Sequence, residues 1–547
     1  MSADTTRPEL STERTRFRWE LIGVTAVLVI VAVSVIFIWA SSRQFHPDDG
    51  PEAIWPTGSW SLSSPEAQNM DSAKLDQMMA LIDEQNFAYD SVLVVRHGHI
   101  VFEQYRNGYN EDVKHHIQSA TKSFSSALIG IALQEGFLKD VKQKVVDLLP
   151  DYTIANLDAR KQRMNLEHLL TMSAGMDWHE LDYPYTDARN TLGQMWRSRD
   201  AVQHVLDQPM AREPGETWAY NSGTSILLGG ILEQATGRDV LSFAREYLFD
   251  PIGIADVKWV KTTGDHYYTD GGLYLTPRDM ARFGYLMLNE GQWEGKQILS
   301  PEWVAQSTEA HFQTGSGQGY GYQWWVLDGE VFAAHGHYEQ VIYVIPQTDM
   351  VVVFTGNIPD DILAPTNGLL YNYILGSCYD LPAEMMPPPY SEYGVYFEYP
   401  LGFGVAESPY PGQKELSAAA GMVQFRFDSY PFELIQALWT EAEGEVDLET
   451  YLTQYRALAE ASGVEYTTGD QQTITMADHT ALSQTFKFNQ QGIRLKGITV
   501  TWHCPESERI FIFSYASNVE LSQQEVSKRA LEHLDHFACH GKLVEMD

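Results

Sequence analysis

Residues 119–135 read SATKSFSSALIGIALQE, and the rest of the chain is organised around them. A serine hydroxyl keeps its proton at neutral pH, so it attacks only with a base within hydrogen-bond reach. Positions i and i+3 share one face of a helix, so a helix opening at Ser119 predicts Lys122 beside the hydroxyl. The helix N-terminus adds unpaired N–H groups and the positive end of the dipole, both suited to a developing oxyanion. Phe124, Ala127, Leu128 and Ile131 recur at helical spacing behind that face, and Gly136 is the stop. Alone, S-x-x-K is a weak signature in a chain of 547 residues. A helix cap followed by a surface lysine has the same pattern, so the flanking segments must decide.

Upstream, residues 91–106 (SVLVVRHGHIVFEQYR) are two strand-like runs around His97-Gly98, a tight hairpin. Before them, Asp71 caps a helical pattern at Leu75, Met78, Met79 and Ile82. Downstream, residues 165–178 (NLEHLLTMSAGMDW) predict a helix and then a glycine turn. Residues 211–237 predict a Pro-Gly turn, a polar-aromatic segment and a helix ended by Gly237. In residues 271–290, Thr276 is the cap and Pro277 the first helical position. Residues 321–356 read as strands, GYQWWV and VFAA joined at Asp328-Gly329, then QVIYVI and MVVVFTG joined at 346–349. The apolar residues 362–375 close this part as a helix. Strands at both ends with helices between predict an α+β fold: one mostly antiparallel sheet, built from both chain ends and covered by helices.

Residues 21–40 (LIGVTAVLVIVAVSVIFIWA) carry no charge and are long enough to cross a bilayer. Arg7, Arg14, Arg16 and Arg18 precede them, so residues 1–20 are expected in the cytoplasm and everything after residue 40 outside. The rival reading is a signal peptide cut near Ala40-Ser41-Ser42. Residues 41–66 form a tether and the start of the fold, and residues 67–379 the main domain. Residues 380–392 (DLPAEMMPPPYSE) are a proline-rich linker. Residues 393–547 form a second, smaller α+β domain, with helices at 448–462 and about 521–539 among aromatic strands.

The net charge of −36 argues against nucleic acid and anionic headgroups as partners. The three cysteines, Cys378, Cys504 and Cys539, show no C-x-x-C pattern, so no structural zinc site is expected. In an extracytoplasmic small domain, Cys504 and Cys539 are expected to pair, leaving Cys378 free. His533, His536 and His540 share a face of the expected last helix, with Cys539 beside them. That spacing could ligate a metal. A solvated helix end is the preferred reading, because no second run of ligands stands opposite.

Five segments now carry a resemblance. They are Ser119-x-x-Lys122, LEHLLTMSAGMDW, PGETWAYNSGTSILLGGILEQATG, GGLYLTPRDMARFGYLMLNEGQWEGKQILSPEWV and AAHGHYEQVIYVIPQTDMVVV, in this order. Over residues 51–375 the chain resembles the β-lactamase-related serine hydrolases, the class C β-lactamase and penicillin-recognising superfamily. The likeness is to the esterase and 6-aminohexanoate-dimer-hydrolase branch. The resemblance implies a β-lactamase/transpeptidase-like fold, with Ser119 as nucleophile and Lys122 sharing or relaying its proton. Tyr220 would be the second base and the acid to the leaving group. The N–H groups of Ser119 and His337 would form the oxyanion hole, and Ser222, His335 and Gly336 would bind substrate.

Two departures matter. The asparagine of the family's Y-x-N motif is Ser222 here, since the chain reads Tyr220-Asn221-Ser222. The K-T-G motif reads Ala334-His335-Gly336, so the lysine that holds an anionic β-lactam is missing. A literal K-T-T-G at residues 261–264 lies in the wrong place and reads as a surface turn. His115 and His116 precede the serine, but no triad needs them. Trp178 and Tyr183 could line the cleft or belong to the core.

The expectation is a membrane-anchored, extracytoplasmic serine hydrolase cleaving an ester or small amide through an acyl-enzyme on Ser119, with no metal or organic cofactor. The alternatives are a D-amino-acid peptidase, a weak β-lactamase, or a catalytically idle sensor or scaffold whose C-terminal domain has a partner the sequence does not identify.

Overall fold

The computed structural model describes residues 54–539 apart from 316, 328–330, 360–364, 412, 428–431, 443–445, 462–464, 477–478, 491–492 and 519–521. The apolar segment 21–40, the turn Asp328-Gly329 and His540 lie outside the described residues. Among the described residues no helix is long and apolar enough to cross a membrane.

The valine-rich runs form the centre of the molecule. The main sheet holds β1 (Ser61–Leu62), β2 (Tyr89–Arg96), β3 (His99–Tyr105), β4 (Phe312–Gln313), β5 (Gly319–Tyr320), β6 (Trp325–Val326), β7 (Phe332–Gly336), β8 (Gln340–Ile345) and β9 (Met350–Gly356). Its order is β1-β3-β2-β9-β8-β7-β6-β5-β4, so strands from both ends of the segment meet where β2 pairs with β9. Every neighbouring pair is antiparallel except β1 with β3. His97 and Gly98 make the β2–β3 hairpin with φ of +49° and +75°, the left-handed pair a two-residue turn requires.

Both faces of this sheet are covered, which is why its strands are apolar without interruption. Leu93, Val95, Ile342, Val344, Val351 and Val353 point into one core, with Phe124, Leu128 and Phe283. Their alternates Val92, Val94, Val341, Tyr343, Val352 and Phe354 point into the other, with Leu75, Met78 and Ile82. The first core packs α2 (Thr121–Gln134), α3 (Ser222–Thr236) and α4 (Pro277–Leu288), and the second packs α1 (Ser72–Glu84). The expected caps are in place. Asp71 accepts from the Ala73 N–H at 2.9 Å, and Thr276 accepts from the Asp279 N–H at 3.1 Å with Pro277 next. Gly237 ends α3 in the left-handed conformation.

Some elements differ from the sequence expectation. Residues 165–178 contain a helix only at Leu166–Leu170, because Met172 and Gly175 turn left-handed, with φ of +54° and +76°. The closing helix of the segment is a short α turn, Thr366–Gly368, continued by a π turn, Leu369–Ile374. The last helix, α6 (Gln523–Leu534), stops short of His536 and Cys539, so the expected histidine face does not form. His536 instead faces Glu398 at 3.3 Å.

The C-terminal part builds a second sheet from β10 (Gly404–Ser408), β11 (Ala420–Phe427), β12 (Glu433–Glu441), β13 (Glu465–Met476), β14 (His479–Gln490), β15 (Ile493–Cys504) and β16 (Arg509–Ser517). It is antiparallel throughout, in the order β10-β11-β12-β16-β15-β14-β13. The helix α5 (Leu448–Ala461) lies between β12 and β13 in the chain, and α6 follows β16. Three of these strands, β10, β12 and β13, were not legible, and β13 (EYTTGDQQTITM) has almost no apolar residue to read. The inner face of this sheet, with Phe425, Trp439, Val500 and Phe513, shares one continuous apolar cluster with α1 and the second face of the main sheet. Along the linker, Asp380 pairs with the buried Arg96 at 2.5 Å and Met385 is buried.

Candidate active site

Ser119 sits on a 3-10 turn, Gln118–Ala120, immediately before α2. Gln118 adopts a left-handed φ of +51°, a conformation that costs about 1 kcal/mol or more in a non-glycine residue and recurs at active sites. The turn runs into α2 without a break, so the i+3 relation survives. Lys122 Nζ donates to Ser119 Oγ at 3.0 Å and to the Asp270 carbonyl at 2.7 Å. Its ammonium also lies 5.2 Å from the centre of the Tyr220 ring.

Lys122 is only 2% exposed, and a buried cation survives only with anions or dipoles around it. Burial works against its charge, but Tyr220, Asp270 and Glu180 outweigh burial and hold its pKa above the ordinary lysine value. Lys122 is therefore an ammonium at rest, a proton donor to Ser119 Oγ.

The two carboxylates were not found from the sequence. Glu180 is buried, and its side chain accepts from the Ser222 N–H (2.8 Å), the Ser222 hydroxyl (2.6 Å) and the Trp178 indole (2.8 Å). Asp270 is buried too, and its Oδ1 has no hydrogen-bond partner. Burial pushes its carboxyl up from 3.8 to about 6, against the pull of Lys122 and with a further push from Glu180. The only sequence signals were an acid two residues after Trp178 and one before Gly271-Gly272, and neither spacing is diagnostic.

β7 reaches the site from the other side. A Cβ at Gly336 would lie 2.3 Å from the Ile117 carbonyl and 3.0 Å from the Ala120 amide. Only glycine lets the strand end press against the turn that carries Ser119, and His337, the next residue, lines the same cavity as Ser119. His335, 41% exposed at its side chain, turns to Glu339 at 3.5 Å.

The cavity has a volume of about 400 Å³ and is lined by Ser119, Ser222, Glu180, Asp270 and His337, with an aromatic wall that includes Tyr185 and Trp196. The structure thus gathers Ser119, Lys122, Tyr220, Ser222, Gly336 and His337 in one place. Trp178 buttresses Glu180, and neither it nor Tyr183 lines the cavity. His116 stacks on Tyr274 at the wall, with its Nε2 2.5 Å from the Gly271 carbonyl oxygen. His115 is buried against Tyr109, and burial holds its pKa down at about 4. Lys261 lies exposed and pairs with Asp265 at 2.9 Å.

The beta-lactamase family model matches residues 72–367. The 6-aminohexanoate-dimer hydrolase of Paenarthrobacter ureafaciens is 25% identical over 348 residues, covering 59% of this chain and 87% of that protein. The lovastatin esterase of Penicillium rubens is 24% identical over 160 residues, covering 27% of this chain and 40% of that protein. Among solved structures, a family VIII carboxylesterase aligns with a TM-score of 0.44 and 15% identity, covering 55% of this chain and 93% of that one.

Proposed function

This chain belongs to the beta-lactamase family of serine hydrolases, and from that premise we propose that it cleaves a neutral ester or small amide through an acyl-enzyme on Ser119. The observation that carries the reading is the buried Lys122 ammonium, 3.0 Å from the Oγ of the cavity-lining Ser119. In the proposed cycle Tyr220 acts as a phenolate paired with the Lys122 ammonium; its oxygen takes the serine proton, since Lys122 already holds its own, and Oγ attacks the carbonyl carbon. The N–H groups of Ser119 and His337 receive the oxyanion. Collapse of the tetrahedral intermediate expels the alkoxide or amine, which recovers the proton through Tyr220. Water then repeats the sequence on the acyl-enzyme.

Charge selects the substrate. Glu180 and Asp270 line the cavity, and Ala334 stands where a carboxylate-binding lysine would be. A substrate carboxylate would meet two acids without a cation assigned to it. Nitrocefin is therefore expected to turn over far more slowly than p-nitrophenyl esters in a parallel assay. Equal or faster nitrocefin hydrolysis would return the protein to the β-lactamase reading.

Asp270 gives a test in pH. Its folded pKa of about 6 lies above its ordinary 3.8, so ionising it inside the fold is a cost. That cost is absent at low pH, grows as pH rises through the interval between the two values, and is complete at neutral pH. Asp270→Asn removes it and should stabilise the protein by up to about 3 kcal/mol at neutral pH. The gain should close below about pH 4. Urea unfolding at both pH values measures this, and turnover of the variant should fall while its stability rises.

The proposal includes anchoring by residues 21–40, which would place the cleft outside the cytoplasm. N-terminal sequencing decides it: a start near Met1 is expected, and a start near Ser41 would mean a cleaved signal.

A further inference from the structure

The C-terminal sheet carries a second cluster of reactive groups, away from the catalytic cavity. His479 opens β14, Cys504 closes β15, and Cys539 follows a short strand, Phe537–Ala538, beyond α6. One ligand atom of each, the two sulfurs and a ring nitrogen, lies within 4.8 Å of the others. Cys504 and Cys539 meet but are not joined by a disulfide, so the bond expected from the sequence is not formed here. We propose that His479, Cys504 and Cys539 form a zinc site that ties the C-terminal segment to the sheet.

Geometry supports this first. Cys539 Sγ and His479 Nε2 are 3.5 Å apart. Zinc holds sulfur at about 2.3 Å and imidazole nitrogen at 2.0–2.1 Å, which at a tetrahedral angle separates the two ligands by about 3.5 Å. The set is also the right chemistry, since two thiolates balance the charge of a divalent ion and an imidazole suits the same borderline-soft metal.

The surroundings of the three ligands suit a metal-bound thiolate as well. The Trp502 indole is fully buried, and its N–H is directed at Cys539, where it favours the ionised form of that thiol. A metal-bound thiolate is an acceptor that would satisfy this donor, a usual outer-shell arrangement. Arg509 donates to the Cys539 carbonyl at 3.0 Å and brings a fixed positive charge beside both sulfurs. Trp502, Phe511 and Phe537 pack together with centroids 5.3–5.8 Å apart and keep this end of the sheet dry. Binding would release one proton from each thiol to solvent.

The test uses the full chain, purified and reduced, with Co²⁺ as the spectroscopic probe. A thiolate-to-cobalt charge-transfer band and tetrahedral d–d absorption should appear and saturate, and Zn²⁺ should displace them. Cys504→Ser, Cys539→Ser and His479→Ala should each lose the tetrahedral spectrum, and Trp502→Phe should weaken Co²⁺ binding about tenfold. A second measurement needs no variant: Zn²⁺ should protect Cys504 and Cys539 from alkylation, read by mass spectrometry, and leave the rate at Cys378 unchanged. The proposal is overturned by a wild-type chain that gives no charge-transfer band, or by Zn²⁺ that protects neither thiol. A chain isolated with Cys504 bonded to Cys539 that takes up no Co²⁺ after reduction would establish a disulfide instead.

Discussion

Ser119→Ala is expected to remove both fluorophosphonate labelling and turnover, with activity falling at least about 10⁴-fold. The hydroxyl is the group to which Lys122 donates, at 3.0 Å, and Ser119 lines the cavity. Its turn is held by Gly336 on one side and runs into α2 on the other. Lys122→Ala should be nearly as damaging for a different reason. Removing the ammonium leaves Asp270 and Glu180 as buried acids without their shared cation, so the Asp270 carboxyl should shift further up. Thermal melts of both variants separate the effects: Ser119→Ala should melt like the parent, whereas Lys122→Ala should not. A Ser119→Ala protein that is still labelled would defeat the assignment.

Tyr220→Phe should divide substrates by their leaving groups. The ring stays stacked on Trp325, with centroids 6.3 Å apart, so only the hydroxyl is lost. An amine leaves poorly without a proton, whereas p-nitrophenolate leaves unaided. Acid–base assistance of this kind is worth roughly 10²–10⁴-fold. The loss on an amide should approach that range, and the loss on a p-nitrophenyl ester should be clearly smaller. In the proposed cycle Tyr220 also carries the first proton transfer, so some loss is expected on the ester. Full activity of the variant on an amide would remove Tyr220 from the mechanism. Activity and labelling of these variants bear on the catalytic cavity alone; the Co²⁺ titration reads a different set of residues, so either result stands without the other.

The sequence by itself determined what short-range physics controls. The uninterrupted apolar runs of β2, β8 and β9 made a sheet buried on both faces. The caps Asp71 and Thr276 and the stop at Gly237 set helix ends to within a residue, because capping is a contact between neighbours. The pair Ser119 and Lys122 was legible because i and i+3 meet on any helical turn. Tertiary structure decided the rest. Glu180 and Asp270 reach Lys122 from loops 58 and 148 positions away in the chain, and no local spacing encodes such a meeting. Gly336 matters only because the backbone at Ile117 comes within reach of it. The polar β13 is a strand because β14 pairs with it, not because of its own alternation. His479, Cys504 and Cys539 converge from three elements, and the end of α6 at Leu534 is what releases Cys539 to join them. Long-range convergence is paid for by packing of the whole fold, so its partners cannot be read from the residues next to them.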